Sequence, residues 1–447
     1  MPFDVQECIK LHNSIVSHAC THLPPENQPI VQRSWFQAHS LDISLTDVEA
    51  EFDDDLRAFL SGIDIVIANG NHHLAFTPVL IGVTSPDEMQ PDVWEGFDEY
   101  EDLVLLYKGT GYDPGGLVYS KTTQQVCFVE DAFDDPHDYM WGDLHVVLEL
   151  YSSLIKSGKF VVDTQNPGFG DGDNFVTQGW RIAGCTDEEM TQCLDVWSSL
   201  IDAISARLPK DRDPAENGPL AKKRKVEDYV LIHSDVLAKY PAIPPFARAF
   251  LAQAKKPSFA SIAPQLDVPD EDFISRVGAQ LQDRYPTANF NSSQHEAIDC
   301  PLFLLFPWRI PGVKFISQDD RDRWEGGRLP HILDDRCGLY ITPDGFHANA
   351  CDLLLPFQLG SKSNLLRMDG TKVDRPAQNA LYQHGMCHPF LPWHGTPLVA
   401  ILDNWLELIE KNHWEVDAMG VAGDSTLWKK ADTEAHSEDF QPGWDCA

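Results

Sequence analysis

From Gly142 to Asp163 the chain reads GDLHVVLELYSSLIKSGKFVVD. Leu144, Val147, Leu148, Tyr151, Leu154 and Ile155 recur at helical spacing between polar residues, which predicts an amphipathic helix with one apolar stripe. The segment TPLVAILDNWLELIEKNHWEVD, from Thr396 to Asp417, repeats the pattern with Leu398, Ile401, Leu402, Trp405, Leu408 and Ile409. Gly158 and Asn412 stand just past the two stripes, and both residue types accept the left-handed conformation that closes a helix. An aromatic residue follows each (Phe160, Trp414), then Val162-Asp163 and Val416-Asp417. Upstream, GGLVYSKTTQQVCFVED and CGLYITPDGFHANACDLLLPF both read as strand, turn, strand, opening on Gly-Leu. The echo implies an internal duplication. Its second copy carries an insertion that includes Ser361 to His388, expected to be a surface loop of the kind that carries function.

Ahead of the first copy, Thr46 and Glu49 have the spacing of a capping box. Val48, Phe52, Leu56, Phe59 and Leu60 then share one helical face, ending at Gly62. Asp53, Asp54 and Asp55 point in different directions on such a helix and read as a solvated face, not a metal site. Strand-like runs follow at Ile63–Ile67, Leu74–Val83, Leu103–Lys108, Gly116–Ser120 and Gln125–Val129, separated by turn chemistry. GTGYDPGG, from Gly109 to Gly116, leads into another strand and so is a hairpin connection, not a phosphate loop. The expected fold is α+β, two domains with mainly antiparallel sheets and packed helices. Expected boundaries are a lead at 1–29, an acidic domain at 30–207, a basic Pro/Gly linker at 208–228, a second domain at 229–431 and a loosely ordered tail at 432–447.

The order of acidic helix, Asn-Gly turn, hairpin strands, Trp and closing helix resembles the SUKH superfamily of fungal cell-wall regulators and bacterial immunity proteins. The residues that carry the resemblance are DLRAFL (Asp55 to Leu60), NGN (Asn69 to Asn71) and GLVYS…VCFVED…W-x-DLHVVL, covering about a quarter of the chain. The resemblance implies a protein-interaction module without catalysis.

Composition narrows the function. The start, MPFDVQECIKLHN, lacks a basic region followed by an apolar one, and the longest apolar run, PLFLLFPW, is too short to span a bilayer. A soluble, intracellular protein is expected. The ten cysteines contain no CxxC pair and read as packed free thiols. Net charge is −35, and residues 1–210 hold 35 Asp/Glu against 10 Lys/Arg. Such a field repels phosphate backbones and disfavours nucleic acid as a partner of the first half. The exception is Lys222-Lys223-Arg224-Lys225-Val226, a cationic run in the linker that resembles a nuclear localisation signal read by importin. Nucleus and cytoplasm are the expected compartments.

No GxSxG, P-loop, HExxH or kinase motif set occurs. HGMCHPFLPWH places His384, Cys387, His388 and His394 close together, ligand types that suit zinc. His18, Cys20 and His22 could add to such a site. QDDRDRWEGGRLPHILDDR offers Asp319 or Asp320 as a base and Arg321, Arg323 or Arg328 as an anion clamp. The leading expectation is a non-enzymatic adaptor or regulatory protein with protein partners and no cofactor. The alternative is an enzyme, zinc-dependent or not, with an interdomain site built from the Arg/Asp loop and the His/Cys cluster.

Overall fold

The structure, a computed structural model, describes residues 3–25, 28–42, 44–45, 49–50, 52–67, 74–90, 100–110, 114–131, 133–163, 179–209, 230–286, 302–310, 336–343, 347–368, 370–373, 375–384 and 395–442. Helices and antiparallel sheets alternate in an α+β fold, divided into two compact units whose described residues part between Ala183 and Gly184. No helix among the described residues is long and apolar enough to cross a membrane.

The first unit opens with α1 (Val5–His22), N-capped by the Asp4 side chain. The sequence pattern shows only a poorly periodic lead here, because Cys8 and His12 occupy two of its inward positions beside Ile15, Val16 and Ala19. A two-stranded sheet pairs β1 (Ile30–Arg33) with β2 (Asp64–Ile67), and between them lie α2 (Trp35–Ala38) and α3 (Asp54–Gly62). Thr46 lies outside the described residues. The helix starts instead at Asp54, where the Asp53 side chain accepts the Leu56 amide at 2.7 Å. The three carboxylates divide their work: Asp53 also accepts from Tyr119, Asp55 accepts from Gln124, and Asp54 faces solvent.

Four antiparallel strands follow in the order β3 (Leu80–Val83), β4 (Leu103–Gly109), β5 (Pro114–Ser120), β6 (Val126–Asp131). Behind them come α4 (Leu144–Lys156) and the hairpin of β7 (Phe160–Val162) with β8 (Trp180–Ile182).

The second unit begins with α5 (Asp187–Arg207), closed at its start by a capping box between Thr186 and Glu189. The expected bounds put this stretch in the first domain. Its buried Cys193, Trp197, Leu200, Ile201 and Ile204 belong instead to the second core, so the units part after Ala183 and not in the stretch 208–228. Within that stretch, residues 210–228 lie outside the described ones. Next come α6 (Ser234–Leu237), α7 (Pro245–Gln253), β9 (Ser261–Ala263), β10 (Leu266–Asp267) and α8 (Glu271–Arg284). A sheet of β11 (Phe303–Pro307), β12 (Gly338–Ile341), β13 (Ala350–Leu354) and β14 (Thr396–Pro397) leads into α9 (Leu398–Glu410). β15 (Val416–Asp417) and β16 (Gly420–Val421) form a tight hairpin, and α10 (Ser425–Trp428) follows.

The register of the central strands and the spacing at the helix ends recur in both units. In the first unit Leu105 pairs with Val118, then a bulge, then Tyr107 with Leu117 and Lys108 with Gly116. In the second, Leu304 pairs with Tyr340, then a bulge, then Phe306 with Leu339 and Pro307 with Gly338. Gly116 and Gly338 sit at φ +142° and +148°, and a Cβ on either would run into a backbone carbonyl, of Tyr107 or of Phe306. The third strands keep the register: Val126 pairs with Tyr119 and bridges Gly142, while Cys351 pairs with Ile341 and bridges Thr396. Each bridge lies two residues before a 13-residue helix. The helix ends also agree. Gly158 (φ +77°) and Asn412 (φ +59°) take the left-handed cap, and the next amides, of Lys159 and His413, return to the carbonyls of Leu154 and Leu408 at 2.8 and 2.9 Å. The opening helices match as well, since Cys8, His12, Ile15, Val16 and Ala19 have the spacing of Cys193, Trp197, Leu200, Ile201 and Ile204.

Two expectations about the second unit are corrected. The insertion is not a surface loop: Leu365, Val373, Ala380, Leu381 and Tyr382 are buried in the core. It is tied down by Asp432, whose buried carboxylate accepts the amides of Gly360, Lys362 and Asn364 at 3.0–3.2 Å. The segment after Asp432 is not loose through residue 442 either, because Phe440 packs against Trp414 and Trp428. Local polarity misled the reading in both places. Each segment buries a few widely spaced apolar residues and satisfies its backbone with turns and side chains, so neither shows a helix or strand period.

Candidate functional site

Most sequence candidates fall outside the described residues. That holds for Asp319, Asp320, Arg321, Arg323 and Arg328, for Cys387, His388 and His394, and for Lys222, Lys223, Arg224, Lys225 and Val226. His384 is described and is half-buried in the second unit. His18, Cys20 and His22 lie near the end of α1 in the first unit. The His18 and His22 rings are 4.1 Å apart, one helical turn from each other, and His22 Nδ1 is 2.8 Å from the His18 carbonyl. Burial lowers the His18 pKa, assisted by the charge of His22, and burial raises that of Cys20.

The structure assembles a different cluster. His413 is held in the turn closing α9, with its amide on the Leu408 carbonyl at 2.9 Å. His436 and Asp439 come from the C-terminal segment that folds back across this turn. His436 Nδ1 is 2.9 Å from Asp439 Oδ2, and His413 Nδ1 is 3.6 Å from the same oxygen. The two imidazoles meet edge to face at 5.8 Å between centroids, and all three side chains are half-buried, within reach of solvent. Ligand atoms of the three lie within 4.8 Å of one another, the one group of at least three potential metal ligands found among the described residues.

The backbone beneath the cluster is anchored. Asn404, buried on α9, donates from Nδ2 to the Asp439 carbonyl at 2.9 Å and accepts the Tyr382 hydroxyl at 2.9 Å. That hydroxyl accepts the Trp405 indole N–H at 3.1 Å. A short buried relay therefore connects the insertion, the helix and the C-terminal segment. Lys411 sits nearby with its ammonium 2.7 Å from Glu407, and its charge interacts with Asp439 as well. The sequence pattern does not reveal this cluster because His413 is remote in the chain from His436 and Asp439. The one local signal was the His-x-x-Asp spacing of His436 and Asp439.

Away from this cluster, buried polar groups of the first unit include His12. His12 is clamped between the Tyr107 hydroxyl at 2.8 Å and the Asp64 carbonyl at 2.9 Å, and it stacks on Phe76. Burial lowers its pKa to about 4, partly opposed by the hydrogen bond to Asp64, so the ring is neutral. Seven cysteines are described, all as thiols outside any disulfide. Burial, with lesser contributions from nearby acids, pushes the Cys8 thiol up to about 12, and burial alone does the same for Cys337. Such thiols stay protonated and are poor nucleophiles at neutral pH. No protein-family model matches the sequence, and neither a curated protein nor a solved structure matches it.

Proposed function

We propose that this chain is a non-enzymatic adaptor or regulatory protein, built from two copies of one α+β module and working through protein partners in nucleus and cytoplasm. The observation that carries the reading is the placement of charge. Residues 1–183, the first compact unit, hold 30 Asp/Glu and 8 Lys/Arg, a formal −22, against −13 for residues 184–447. A module with that field favours a basic partner and speeds its encounter. Ile30 and Val31, exposed on β1, supply apolar contact beside the charge. Repetition of the frame supports an origin by duplication, and the SUKH-like order of elements agrees with an interaction role. Lys222 to Val226 would be the importin-binding run.

The test is cross-linking in cells with the full chain and with Asp54→Asn, Asp87→Asn, Glu101→Gln and Glu149→Gln combined, all exposed positions in the first unit. The expected result is loss of first-unit cross-links and weaker salt dependence, with the melting temperature kept. Cross-links indifferent to both charge and salt would overturn the reading. Replacing Lys222, Lys223, Arg224 and Lys225 with Ala should shift the protein toward the cytoplasm.

A further inference from the structure

We propose that His413, His436 and Asp439 form a binding site for a divalent transition-metal ion of the zinc class, a property that the adaptor reading does not require. The geometry is the first argument. Ions of this class hold His nitrogen and carboxylate oxygen at about 2.0–2.2 Å in tetrahedral array, which sets neighbouring ligand atoms about 3.3 Å apart. The two Nδ1 atoms stand 2.9 and 3.6 Å from Asp439 Oδ2, on either side of that spacing. Both imidazoles bring Nδ1 close to one carboxylate oxygen, so three ligand atoms of the right kind already gather around one point.

The donor chemistry points the same way. Two imidazoles and a carboxylate suit borderline divalent ions better than calcium or magnesium, which take oxygen ligands almost exclusively. Three protein ligands leave a coordination position for water, and the half-buried side chains leave a route for it. The support beneath the site is the third argument, because metal sites depend on neighbours that fix their ligands. The Asp439 backbone is fixed by Asn404, and His413 by its amide in the left-handed turn. Lys411 is a cation close enough to interact with Asp439, and its ammonium is drawn aside by Glu407. In the first unit the position of His413 is Lys159, which is not a ligand of this class, so that frame does not repeat the site at the same place.

The experiment uses untagged full-length protein stripped with chelator, titrated with zinc against a chromophoric chelator, and compared with His436→Ala and Asp439→Asn. The expected result is one saturable zinc that raises the melting temperature. Both variants should lower its affinity by at least about 100-fold while the zinc-free melting curve stays close to that of the parent. Cobalt should give a spectrum without thiolate charge transfer, which separates this site from one using Cys387. Undiminished binding in both variants, a thiolate band, or no saturable binding would overturn the proposal and leave His436 and Asp439 as an ordinary hydrogen-bonded pair.

Discussion

At one place the two frames put opposite chemistry at the same position. In the first, His12 on α1 reaches the bulged strand and is hydrogen-bonded to Tyr107 at 2.8 Å. In the second, Trp197 on α5 stacks on Phe306 with ring planes 6° apart and centroids at 5.5 Å. Tyr107 and Phe306 occupy the same register position after the bulge. A polar, desolvated pair and an apolar stack thus serve the same contact. What is common to both is backbone: the bulge, the glycine at positive φ, the bridge before the helix and the left-handed cap. The frame is fixed by positions that tolerate few alternatives, and the side chains between them are free to diverge.

The largest effect should follow from breaking the shared backbone. Gly116→Ala and Gly338→Ala each place a methyl group against a strand carbonyl, in a conformation that L residues rarely adopt. Each should cost at least about 3 kcal/mol, read as a fall in the melting transition of its own unit. A neutral outcome at either glycine would mean that the two bulges are alike only in outline.

Acid should separate the frames next. The folded pKa of His12, about 4, lies below the 6.5 of an unfolded histidine. The folded state therefore disfavours the proton. The corresponding stability is fully present above pH 6.5 and is lost as pH falls toward 4, amounting to about 3 kcal/mol. The double variant His12→Phe/Tyr107→Phe imitates the apolar contact of the second frame. Its melting temperature should fall less than the parent's between pH 6.5 and 4, and equal slopes would show that His12 is not the acid-sensitive group. A smaller loss, about 2 kcal/mol, is expected from Asp432→Asn, which weakens the carboxylate bonds to three insertion amides.

How much of this was legible in the sequence follows the same division. The paired helices, their caps and the Gly-Leu strands stood out because periodicity and glycine report backbone state directly. The stripe of α4 was read as one buried face, yet Leu154 and Ile155 are only half-buried, while their counterparts Leu408 and Ile409 are buried. Helix α1 stayed hidden because a neutral histidine looks polar when its partners, Tyr107 and the Asp64 carbonyl, lie far along the chain. The insertion and the C-terminal segment stayed hidden for the same reason. Their order comes from Asp432 and Asn404, whose long-range bonds leave no local period. The His413–His436–Asp439 cluster is a product of that folding back, so the His-x-x-Asp spacing of His436 and Asp439 gives no hint of His413.

Asn404 offers the finest test of the contrast. The first frame has Leu150 at this position on its helix, and the second has a buried asparagine bonded to Tyr382 and to the Asp439 carbonyl. Asn404→Leu should remove both bonds, but the buried leucine adds apolar contact, and Tyr382 keeps its bond from Trp405. The net cost should be about 1 kcal/mol, the small remainder of two opposing terms. Zinc affinity should respond more sharply than stability, falling about 10-fold, because Asp439 loses the bond that fixes its backbone. If melting drops while zinc affinity holds, the turns between Thr433 and Phe440 place the carboxylate by themselves. If both hold, the relay from Tyr382 through Asn404 is not what joins the C-terminal segment to the frame.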